Sequence, residues 1–118
     1  MPHDNRDRAY LWDMLDAAQA IKQFIEGRTY EEYLANRMLR GAVERHIEII
    51  GEAARRVSEA TRMANPDIPW RLIIGQRNVL AHEYDEILHE ALWAVATRRV
   101  PELVITLEKI LPVDILND

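Results

Sequence analysis

Leu11, Met14, Ala18, Ile21 and Ile25 recur at alternating gaps of three and four, the spacing that lines one face of an α-helix. Gly27 then supplies a stop, since glycine readily takes the left-handed conformation that closes a helix. Thr29 followed by Glu32 fits a capping box, in which each side chain satisfies a free backbone donor at a helix start. The helix that begins there carries the longest stripe of the chain, with Val43, Ile47, Ile50, Ala54, Val57 and Thr61 in the same alternation. Two prolines between residues 65 and 70 force a break, and Pro69 suits the first turn of a short helix over 69–81. After the acidic stretch Glu83, Asp85 and Glu86 comes a last helix. In it Trp93, Ala96, Val100, Leu103, Leu107 and Ile110 stay in phase across Pro101, which predicts a kink there and not a new direction. No segment alternates as a strand does. The pattern predicts an all-α fold, an up-and-down helical bundle of four to five helices, forming one domain over residues 1–118.

Composition narrows this picture in three ways. Hydrophobic residues at 48% and charged residues at 30% of the chain suffice for a core and exclude extended disorder. Cysteine is absent, which removes disulfides, thiolate metal sites and thiol nucleophiles from consideration. Residues 1–8 are polar and mixed in charge, unlike a signal peptide, and no window reaches the roughly 18 apolar residues that cross a bilayer. The expected setting is cytoplasmic, without a membrane. A formal net charge of -5 argues against a general nucleic-acid coat, so any anion site must be local.

Residues 68–82 form such a locality, with two arginines and one histidine and no acid among them. Arg77 offers a fork of donors suited to phosphate, and His82 exchanges a proton near neutral pH. RNA is cut without metal when its own 2′ hydroxyl attacks the adjacent phosphorus, given a base, an acid and a cation for the developing charge. Asn78 adds a neutral hydrogen bond to the phosphate. On an ideal helix Arg77 and His82 stand about 140° apart, so either the helix ends before His82 or the working site combines two chains. One histidine supplies one proton-transfer group where the reaction uses two, which favours a homodimer with a composite cleft. By spacing alone, an arginine and a histidine near a helix end are more often capping or surface groups.

The run Arg77-Asn78-Val79-Leu80-Ala81-His82-Glu83-Tyr84 resembles the Arg-polar-x-x-x-His signature of the HEPN superfamily, in the HepT-like form that adds x-Tyr. Ile49-Ile50-Gly51-Glu52-Ala53-Ala54, Ile68-Pro69-Trp70, Trp93 and Pro101-Glu102-Leu103 are similar to residues at corresponding places in HepT-like chains, so the likeness covers most of the sequence. The resemblance implies a HEPN-like, dimeric helical fold and a metal-independent ribonuclease without cofactor. It also implies the toxin of a toxin–antitoxin module, partnered by an MntA-type nucleotidyltransferase antitoxin. Arg77 and His82 are then the catalytic pair, Asn78 a phosphate contact, and Tyr84 the residue to which the antitoxin attaches AMP. The alternative is a partner of a nucleotidyltransferase that binds nucleotide or substrate with the same motif and cuts nothing.

Other candidates carry less. His82, Glu86 and His89 fall at gaps of four and three, a pattern a divalent metal can use on a continuous helix. Arg98 and Arg99 extend an RNA path only if they lie near the motif. Trp12, Trp70 and Trp93 are expected in the core or an interface, and Gly51, Ala54 and Ser58 form a strip of small residues suited to close helix packing.

Overall fold

Gly27 sits at φ +73°, the left-handed backbone that side-chain-bearing residues rarely adopt. It ends the first helix, α1 (Asn5–Ile25), in a computed structural model that describes residues 5–80 and 86–111. The Arg28 N–H closes the turn on the Ile25 carbonyl at 2.9 Å. Thr29 and Glu32 form the predicted capping box on α2 (Tyr30–Ala35). The Glu32 N–H donates to Thr29 Oγ1 at 3.1 Å, and the Thr29 N–H donates to Glu32 Oε1 at 2.8 Å.

The chain does not continue from Thr29 as one helix. Asn36 is extended and accepts the Leu39 N–H on its side chain at 3.0 Å, opening α3 (Arg37–Arg56). Ser58 repeats the device for α4 (Glu59–Ala64), accepting the Thr61 N–H at 3.3 Å. Both are residues whose side chains replace a helical hydrogen bond and so permit a break. Val57 and Thr61 stay buried across the second break, so the predicted stripe survives a change of helix.

The last three helices are α5 (Trp70–Leu80), α6 (Glu86–Ala94) and α7 (Val100–Ile110). A π-helical turn, Val95–Arg99, joins α6 to α7. Pro101 has no N–H to return to the turn before it. The Val100 N–H instead reaches back five residues to the Val95 carbonyl, and the Thr97 hydroxyl donates to the Trp93 carbonyl at 2.8 Å. The irregularity expected at Pro101 therefore takes the form of a π turn just ahead of it. Among the described residues there are seven α-helices and this one π turn, and no strand. The excess over the expected four to five comes from the two six-residue helices α2 and α4 and from the division of the last helix.

The core forms where α1 lies against α3 and α7, and α5 also packs on α3. Met14, Ala18, Ile21, Val43, Ala54 and Leu107 are fully enclosed, each on a stripe visible in the sequence. Such burial contributes about 1.5–3 kcal/mol for each large aliphatic side chain. Tyr33 is also enclosed, against Trp93 at a ring separation of 5.0 Å. Burial, reinforced by the nearby Glu44 carboxylate, pushes its phenol far above the ordinary tyrosine range and keeps it neutral. No helix among the described residues is long and apolar enough to cross a membrane.

Asp7 ties the two ends of the α1–α4 segment together. Its buried carboxylate accepts the Ser58 N–H at 3.0 Å, the Ser58 hydroxyl at 2.6 Å and the Thr61 hydroxyl at 2.6 Å. Removing a charged acceptor leaves those donors without it inside the fold, a loss of about 3 kcal/mol. Asp7→Ala is therefore expected to lower the melting temperature by roughly 10 °C for a domain of this size, measured by circular dichroism. A fall of less than about 2 °C would show that α4 is held by other contacts.

Candidate functional site

The helix that bears the basic segment is fixed at its beginning. The Trp70 indole N–H is shared between the Arg62 carbonyl at 3.1 Å and the Asn65 carbonyl at 3.0 Å, and the Ile73 N–H returns to the Pro69 carbonyl at 3.0 Å. Ile68, Trp70 and Ile73 are buried, which seats α5 on α3. Helical register then orders the rest. Positions 70, 73 and 77 fall within about 60° of one another, so position 77 shares the helical register of Trp70 and Ile73. Positions 71, 74 and 78 form a neighbouring stripe, also within about 60°, and the first two border an open groove between α4 and α5.

Arg77 and Asn78 thus lie in the last turn of α5, on backbone anchored about ten ångströms earlier. His82 and Tyr84 lie outside the described residues. The alternative metal set is divided by the same boundary, since His82 is outside it. His89 has Glu44 of α3 as a neighbour, with Nδ1 3.9 Å from the carboxylate. Among the described residues no group of three or more histidine, aspartate or glutamate side chains is placed to hold a metal ion.

The remaining sequence candidates have clear places. Trp70 and Trp93 are structural: Trp70 caps the α4–α5 connection and Trp93 packs on Tyr30 and Tyr33. Trp12 is half-buried against the core, and Gly51 and Ala54 are buried on α3. Arg98 and Arg99 are exposed on the π turn, and Arg99 borders a separate, largely apolar groove of ≈ 450 Å³ with Ile47, Leu72 and Ile105. Sequence reading missed Arg62, which reaches the α4–α5 groove beside Arg71. Its signal was absent because α4 itself was read as the tail of a longer helix.

Among the described residues the regular structure is all helical, and the last turn of the acid-free helix α5 begins with Arg77 and Asn78. Over residues 14–110 the chain matches the family described as Ribonuclease HepT-like, and it belongs to that family. Among its relatives is RNase MJ1380 of Methanocaldococcus jannaschii, a name given provisionally. The two are 38% identical over 96 residues, covering 81% of this chain and 88% of that protein. RNase MJ1216 of the same organism, also provisionally named, is 33% identical over 104 residues, or 88% of this chain and 86% of that one. The protein named Probable ribonuclease HepT of Thermococcus cleftensis is 32% identical over 101 residues, 86% of this chain and 92% of its own length. No solved structure matches the chain.

Proposed function

We propose that the protein is a metal-independent endoribonuclease, the toxin of a two-gene toxin–antitoxin module, acting on RNA in the cytoplasm as a homodimer. The observation that carries this reading is the position of Arg77 and Asn78. They occupy the last turn of a helix anchored on the core, five and four residues before His82, in a segment without a carboxylate up to that histidine. Arg77 neutralises the charge that builds on the phosphorane, and Asn78 donates to one of its oxygens. His82 removes the proton from the 2′ hydroxyl as that oxygen attacks phosphorus. The bond from phosphorus to the 5′ oxygen then breaks, and a second proton-transfer group returns a proton to it. A single motif provides one such group, so the second is His82 of another copy across a twofold axis.

Cleavage is expected to continue in excess EDTA and to leave a cyclic phosphate across the 2′ and 3′ oxygens, read by mass spectrometry of the products. The nucleophile belongs to the substrate and the cation to Arg77, so chelation removes nothing the reaction uses. Loss of activity on chelation, restored by a divalent ion, would overturn this mechanism and return attention to His82, Glu86 and His89.

A further inference from the structure

We propose that the open groove between α4 and α5 is a second phosphate site, which holds single-stranded RNA a short step along the strand from the scissile bond. This rests on the ribonuclease reading for its substrate. The groove, ≈ 620 Å³ in volume, has Arg62 on its α4 wall and Arg71 on its α5 wall. Among the described residues neither guanidinium has an ion-pair partner, whereas Arg45, Arg55 and Arg56 are each paired with a glutamate on their own helix. The Nε of Arg62 is buried and meets no hydrogen-bond acceptor. A buried charged donor without an acceptor is costly, and an anion paired with the same guanidinium in the groove offsets part of that cost through its charge.

The groove also leads toward the motif. Arg71 and Asn78 are seven residues apart on α5, about 10.5 Å along the axis and within about 20° in register. A strand whose phosphate is held at position 78 therefore runs along the Arg71 stripe into the groove. Met63, 73% exposed, and Ile74 offer apolar surface beside the two cations. That combination of backbone charge and an apolar rest for a base suits an unpaired strand, because a duplex hides its base faces. Glu59 is the one carboxylate among the described groove residues and opposes a phosphate there.

The test is binding of a labelled oligoribonucleotide of about twelve residues, followed by fluorescence anisotropy at several salt concentrations. The full chain is used with His82→Ala, so that the RNA stays uncut. Adding Arg71→Glu is expected to weaken affinity about tenfold and to make the log–log salt dependence shallower by about 0.7. Glu59→Gln is expected to tighten binding by about twofold. Arg71 is exposed, so its replacement spares the core. Arg37→Glu makes the same charge change at the far end of α3, about 30 Å away along that helix, and is expected to have little effect. Unchanged affinity and slope for Arg71→Glu, or an equal loss for Arg37→Glu, overturns the groove site. Cleavage of the same oligonucleotide by the chain with His82 intact is scored separately. A chain that binds but never cuts defeats the ribonuclease reading while the groove is still judged by the anisotropy.

Discussion

Replacing His82 by alanine is expected to lower RNA cleavage by about a thousandfold, the range a positioned proton-transfer group contributes. Arg77→Ala is expected to cost about a hundredfold or more, as the loss of a donor aimed at developing negative charge does. The two groups act on one transition state, so the double variant should be little worse than the worse single one. Arg77→Lys should recover only part of the loss, because lysine keeps the charge and forfeits the planar fork. Single-turnover cleavage of a labelled RNA measures all four, with the melting temperature as the check on folding. His82→Ala cutting at the parental rate would remove this residue from the mechanism. A parent that binds the RNA tightly and leaves it intact would favour the binding-only alternative. Growth on induced expression gives a second readout, since the His82→Ala copy should be tolerated where the parent arrests the cell.

The apolar stripes of α1, α3 and α7 were legible because each follows a helical period and each is buried where that period puts it. The capping box at Thr29 and the stop at Gly27 were legible for a similar reason, since both depend on residues adjacent in sequence. The breaks at Asn36 and Ser58 were not. A capping asparagine or serine within a predicted helix looks like an exposed polar position, and only the tertiary contact decides. For Ser58 that contact is Asp7, fifty-one residues away in sequence. The same gap hid the groove: Arg71 was visible as part of a basic segment, but the partner wall with Arg62 exists only once α4 has turned away from α3. At Pro101 a kink was expected, and the change of helix type at Val95–Arg99 just before it was not. Position 77 shows the opposite case, where the residue was evident in sequence and the fold adds that it lies in the last turn of α5, in register with Trp70 and Ile73.

Tyr84 is the proposed point of control, and its modification by AMP is expected to silence the protein completely. It stands two residues beyond His82, near enough in sequence for a group on its hydroxyl to reach the proposed cleft. The transferred AMP forms a phosphodiester from its phosphate to the tyrosine oxygen, which gives up its proton, with pyrophosphate leaving from ATP. The attached phosphate is anionic and pairs with the same fork of donors on Arg77 that the scissile phosphate uses. Charge competition and bulk then act together against RNA. Incubation with a cognate nucleotidyltransferase and ATP should raise the protein's mass by whole AMP units as cleavage disappears. Tyr84→Phe should gain no mass and should keep cutting in the presence of that enzyme. If the phenylalanine variant is silenced as fully as the parent, inhibition comes from complex formation alone, and Tyr84 has no regulatory part.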